Sequence, residues 1–150
     1  MSKKTHIAQT EPFRWDGVPV LAYKEEGGTH FKGITRQVLF DDGEHFDTQL
    51  RYFEIAPGGH STLERHLHAH SVMVIRGSGG ALVGEAVVDL GTRDLIRVPP
   101  QTWHQFRATG TEPLGFLCLV RRERDKPALP TESDLAALRA NPRAAAFIRV

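Results

Sequence analysis

Residues 35–121 form a series of short β-rich runs cut by Gly, Pro or Asp, and no helical period separates one run from the next. Runs fall at 35–40, 49–55, 71–76, 81–83, 94–98 and 114–120, with turn signals at Pro57-Gly58-Gly59, Gly77-Ser78-Gly79-Gly80, Gly91 and Gly110. A parallel sheet needs a long crossover, usually a helix, between neighbouring strands, so this spacing excludes an α/β sheet and leaves an antiparallel sandwich or barrel. The expected fold class is all-β, with a barrel at 35–121, an N-terminal arm at 1–34 and a C-terminal tail at 122–150.

The ends read differently. Thr131 followed three residues later by Asp134 is a helix start, Leu135 and Leu138 supply its apolar stripe, and Asn141-Pro142 ends it. Asn141 then caps a second short helix, with Pro142 in its first turn and Phe147 and Ile148 on its apolar side. These helices are expected to cover a barrel edge; closing the mouth or building a dimer contact is the other use for them. The first thirty residues, with Trp15, Tyr23 and Gly27-Gly28, show no period and are expected to be irregular and extended.

Composition narrows the function. The net charge of +1 gives no basic field for nucleic acid. No eighteen-residue apolar run exists, and the lysines within residues 1–10 are followed by none, so a cytoplasmic protein with no membrane partner is expected. Cys118 is the only cysteine, which excludes an intrachain disulfide and a cysteine-based zinc site and suits a reducing compartment. Redox chemistry at that thiol would need a resolving thiol from outside.

Four of the eight histidines, His60, His66, His68 and His70, fall within eleven residues. Side chains at i and i+2 of a strand share a face, so Glu64 and His66 can enter one cavity, and a turn through His68 can return His70 to it. A second segment, from Asp94 through Pro99 and Pro100, ends on His104.

These two segments resemble the two motifs of the cupin superfamily. The first motif is His-x-His, three residues, Glu, six residues, Gly. Counting back from Gly77, His70 takes the Glu place, while Glu64 and His66 take the first two, so the inventory is kept with one Glu/His pair exchanged. The second motif, Pro-x-Gly-x-x-His, matches at Pro99 and His104, but Gln101 replaces its Gly and Arg93 replaces the Gly usual before Asp94. The resemblance implies a double-stranded β-helix, or jelly-roll barrel, holding a divalent metal on Glu64, His66, His70 and His104. Such a donor set suits Mn, Fe, Ni, Co or Zn, with Mn or Fe favoured, and four protein ligands on a six-coordinate ion leave two positions for substrate. The alternatives are a degenerate barrel without metal, and His60 or His68 serving as ligand in place of a turn or rim residue.

Alternation along 114–120 puts Phe116, Cys118 and Val120 on one face. By type alone Cys118 is packing; beside a metal or imidazole it is a thiolate nucleophile. The stretches 52–66, 99–106, 115–118 and 124–130 resemble a bacterial cupin subgroup that includes methylthioxylulose phosphate methylthiotransferases (methylsulfurylases). That resemblance implies manganese, Cys118 as nucleophile, glutathione as thiol co-substrate and conversion of 1-methylthioxylulose 5-phosphate to 1-deoxyxylulose 5-phosphate in methylthioadenosine salvage. His68 is the candidate proton donor, and Arg36 and Arg51 are candidates for the substrate phosphate, with solvated surface arginine as the alternative. The rival functions are a metal-dependent cupin dioxygenase or sugar-phosphate isomerase and, in another class, a non-catalytic small-ligand or metal-binding cupin. Unpaired barrel edges point to a homodimer.

Overall fold

A computed structural model describes residues 3–24 and 28–150. Eleven strands and two helices follow one another along these residues. The arm carries β1 (Gln9–Glu11), β2 (Arg14–Trp15) and β3 (Leu21–Ala22). The barrel strands are β4 (Lys32–Phe40), β5 (Thr48–His60), β6 (His70–Arg76), β7 (Gly79–Val83), β8 (Ala86–Leu90), β9 (Leu95–Val98), β10 (His104–Ala108) and β11 (Leu114–Arg121). Helices α1 (Glu132–Arg139) and α2 (Pro142–Phe147) close the chain. Of the residues named in the arm, Gly27 lies outside the described residues, as do the first two of residues 1–10.

The barrel strands form one curled antiparallel sheet in the order β8-β7-β10-β5-β11-β6-β9, with β4 along the other edge of β5 and β3 beyond it. Strand β11 lies between β5 and β6, pairing Cys118 with Arg51 on one side and Val72 on the other. Its burial follows the alternation: Phe116, Cys118 and Val120 are buried and Leu119 is exposed. Val72, Ile96 and Val98 repeat the pattern on β6 and β9. Each such side chain taken out of water contributes roughly 1.5–3 kcal/mol. That is how residues far apart in sequence come to wall one interior.

Two details differ from the sequence expectation, and a third bears on the motif. Pro57-Gly58-Gly59 is not a turn: β5 runs through it as a bulge, because its register against β4 jumps from Ile34↔Ile55 to Lys32↔His60. Gly59 permits that approach, since a Cβ there would lie 2.4 Å from the Lys32 carbonyl oxygen. Arg93 and Gln101, at places where the motif carries glycine, keep the left-handed backbone, with φ of 76° and 53°. The arm is not simply irregular, for β3 joins the sheet and β1 and β2 form a hairpin. Phe13 stacks on Tyr52 at 5.7 Å, and Trp15 meets the same ring edge-on at 5.4 Å. Beside them Glu54 accepts from Tyr52 Oη at 2.8 Å and Arg76 Nη1 at 2.9 Å and pairs with Arg14.

The tail matches its sequence signals. Thr131 caps α1 in a reciprocal capping box with Asp134, and Asn141 caps α2 ahead of Pro142. Leu135, Leu138, Phe147 and Ile148 form a second core against Leu63 and Leu82, outside the barrel interior. Asn141 Nδ2 also donates to the Glu85 carbonyl, so the helices sit against edge strand β8. Among the described residues no helix is long and apolar enough to cross a membrane.

Candidate active site

One end of the barrel interior is a cavity of about 280 Å³. Glu64, His66, His70, His104, His68, Cys118, Arg36 and Arg51 all line it, with Phe53, Val72, Phe106 and Phe116 as the apolar wall. His60 falls outside this lining, its Nδ1 directed at the Ser61 carbonyl oxygen at 3.0 Å.

His66, His70 and His104 bring one potential ligand atom each to within 4.8 Å of one another. His66 Nδ1 lies 2.6 Å from the His68 carbonyl oxygen and His104 Nδ1 lies 2.9 Å from that of Thr102. A carbonyl can only accept, so each Nδ1 carries the proton and each Nε2 presents a lone pair to the cavity. His70 Nε2 is 2.9 Å from His66 Nε2. That separation is short enough for one ion to accept both nitrogens. Burial, followed by the neighbouring imidazoles, holds the His66 pKa down at about 4 and that of His70 at about 2. Burial lowers His104 as well. Three neutral imidazoles with converging lone pairs are the donor set a divalent metal takes.

Glu64 enters the same cavity through an antiparallel bridge to His104, in which each backbone N–H donates to the other's carbonyl at 3.2 and 3.0 Å. Its carboxylate is ion-paired with Lys24 Nζ and stands apart from the three-nitrogen group. His68 stacks face to face on His66, ring centroids 3.6 Å apart. Its Nδ1 lies 2.8 Å from Asp125 Oδ1, and Asp125 also accepts from the Leu67 and His68 backbone N–H groups at 2.7 and 3.1 Å. Those backbone donors, with the His68 ring, hold the Asp125 carboxyl well below the usual carboxylate range.

Cys118 Sγ lies 3.0 Å from His70 Nδ1 and 3.8 Å from Arg51 Nη2. Burial pushes the thiol up, and the Arg51 charge opposes that rise. The sulfur therefore sits between the imidazole cluster and the arginines. Lys24, Arg124 and Asp125 also line the cavity and went unassigned in the sequence. Arg124-Asp125 stood inside the recognisable 124–130 stretch, whereas Lys24 carried no local signal.

This geometry is that of a cupin, and the chain belongs to that family: the family described as "Cupin domain" matches residues 51–120. The chain is similar to the 1-methylthio-D-xylulose 5-phosphate methylsulfurylase of Rhodospirillum rubrum, 59% identical over 136 residues that span 91% of this chain and 86% of that protein. Among solved structures it resembles a cupin 2 conserved barrel domain protein from Rhodopseudomonas palustris (51% identity, TM-score 0.92, covering 97% of this chain and 100% of that one). A cupin-2 domain protein of Rhodospirillum rubrum is also similar (56% identity, TM-score 0.84, covering 95% and 94%).

Proposed function

We propose that this protein is a metal-dependent cupin enzyme that removes the methylthio group from 1-methylthioxylulose 5-phosphate, giving 1-deoxyxylulose 5-phosphate in methylthioadenosine salvage. The observation that carries it is a lone buried sulfur, Cys118, inside the imidazole-lined cavity and 3.0 Å from His70 Nδ1, in a chain 59% identical to a methylsulfurylase.

His66, His70 and His104 would hold a divalent ion, manganese in our assignment, with Glu64 as fourth ligand once its carboxylate turns from Lys24. Once bound, that ion supplies Lewis-acid polarisation of the substrate carbonyl, next to the carbon that bears sulfur. Cys118, as the thiolate that Arg51 and the His70 Nδ1–H stabilise against burial, attacks the methylthio sulfur. A sulfur–sulfur bond forms, the carbon–sulfur bond breaks with its electron pair passing to carbon, and the enolate of the product leaves. His68, held through Nδ1 by Asp125, delivers a proton from its Nε2 side to that carbon. Cys118 is left as a methyl disulfide and the sugar carbon has been reduced. Among the described residues Cys118 is the free cysteine, so glutathione attacks the disulfide, restoring the thiolate and carrying away the methylthio group as a mixed disulfide. Arg36 and Arg51 receive the substrate phosphate. Working as a cytoplasmic homodimer suits this role.

The test is elemental analysis of the purified protein, followed by incubation with methylthioxylulose phosphate and glutathione. Stoichiometric divalent metal, with release of methanethiol or its glutathione disulfide and formation of 1-deoxyxylulose 5-phosphate, is expected. Metal-loaded protein that leaves the substrate untouched would sink the assignment.

A further inference from the structure

Besides the neutral imidazoles, the cavity gathers a concentration of positive charge. Arg36 on β4, Arg51 on β5 and Arg124 in the segment after β11 all line it. Among the described residues none of the three is ion-paired with a carboxylate, whereas Arg14, Arg76 and Arg122 elsewhere pair with Glu54 or Asp41. Their contacts are weak or neutral. Arg36 Nε donates to the Ala22 carbonyl at 3.1 Å, and Arg124 Nη1 donates to Gln49 Oε1 at 2.9 Å and to the Arg121 carbonyl at 2.8 Å. Arg51 lies with its guanidinium 4.9 Å from the Phe53 ring centroid, and its buried Nε has no partner. The three charges feel one another: burial and then the Arg51 charge hold both Arg36 and Arg124 below their ordinary values. Like charges drawn together in a partly desolvated wall, with donors left over, are arranged for an anion that comes and goes.

Arg124 is placed there by anchors that do not involve its own side chain. Asp125 accepts from Leu67 N, His68 N and His68 Nδ1, and Arg65 and Ala128 exchange both backbone hydrogen bonds, at 3.2 and 2.8 Å. The segment is thus stapled to the loop that carries the metal-site histidines. A carboxylate is satisfied by one bidentate guanidinium, but a dianionic phosphoryl group has three peripheral oxygens and two charges to neutralise.

We propose that Arg124 completes, with Arg36 and Arg51, a three-guanidinium cradle for the terminal phosphoryl group of the substrate, an assignment that rests on the sugar-phosphate reading above. Arg124 is then the residue that sets specificity for a phosphorylated sugar, and the segment after β11 belongs to the substrate site.

The experiment titrates inorganic phosphate calorimetrically into metal-loaded parent and Arg124→Gln at equal metal content, so that phosphate bound at the ion is common to both. Arg124→Gln is expected to weaken phosphate by about tenfold or more, with Arg124→Lys recovering part of the loss. The KM for methylthioxylulose phosphate should rise by a similar factor while the KM for glutathione stays unchanged. Equal phosphate responses in parent and variant, including none in either, overturn the cradle, and so does a change confined to the KM for glutathione. If the parent does not turn over methylthioxylulose phosphate, the phosphate titration still decides the role of Arg124. If it turns over and the variant matches it, the cradle falls while the proposed reaction stands.

Discussion

Stripping the protein of metal and lowering the pH tests whether the imidazole cluster is built as described. An imidazole in the unfolded chain titrates near 6.5, whereas His66 and His70 in the folded chain are held at about 4 and about 2. The unfolded chain therefore binds protons that the folded one refuses. Stability is fully present above pH 6.5 and is lost as pH falls toward those lower values. Each such group costs about 1.4 kcal/mol per pH unit, so the pair costs about 2.5 kcal/mol per unit near pH 5.5, and His104, shifted the same way, adds to it. For a chain of this length that is about 5–10 °C of melting temperature per pH unit. The assay is scanning calorimetry of chelator-treated protein from pH 7.5 to 5, against the metal-loaded form. Loaded protein should hold its melting temperature further into acid, because the ion occupies the lone pairs that protons would take. The surface carboxylates that are held low, such as those of Asp41 and Asp125, titrate below this window. A stripped protein whose melting temperature is flat from pH 7 to 5 would mean that the imidazoles meet solvent freely, and the reasoning fails.

Cys118→Ser should lower methylthio removal by at least about a thousandfold while metal content and melting temperature stay near those of the parent, measured by product formation and elemental analysis. Replacing Gln101 or Arg93 by Gly removes a left-handed residue that carries a Cβ, and each should stabilise by about 0.5–1 kcal/mol, read as a higher urea midpoint at constant m-value. Glu54→Gln leaves Arg76 and Arg14 without their carboxylate beside Tyr52, and should cost roughly 1–3 kcal/mol by the same measurement.

The sequence carried the interior well because its signals were periodic or paired. Alternation on 114–120 put Phe116, Cys118 and Val120 on one face, which is the buried one, and the resemblance of two segments to known motifs picked out Glu64, His66, His70 and His104, which line one cavity. Strand bounds were less legible where a local rule was overridden. Pro57-Gly58-Gly59 reads as a turn, yet the pairing of Lys32 with His60 keeps β5 running through it. Lys24 carried no local signal, and Arg124 and Asp125 went unassigned within a recognisable stretch, because each reaches the cavity only when an end of the chain docks on the barrel. That docking depends on partners such as Leu67 N and the Glu64 carboxylate, which no spacing within the arm or tail encodes.

Strand β11 is the last strand of the sheet to be synthesised, yet it occupies a central place between β5 and β6. On the ribosome, then, β5 and β6 wait with open edges until Cys118 and its neighbours emerge, a stage at which unpaired strands invite association. His70 has no sulfur beside it until that insertion is made. A nascent chain that stops before β11 displays histidines with no thiol beside them.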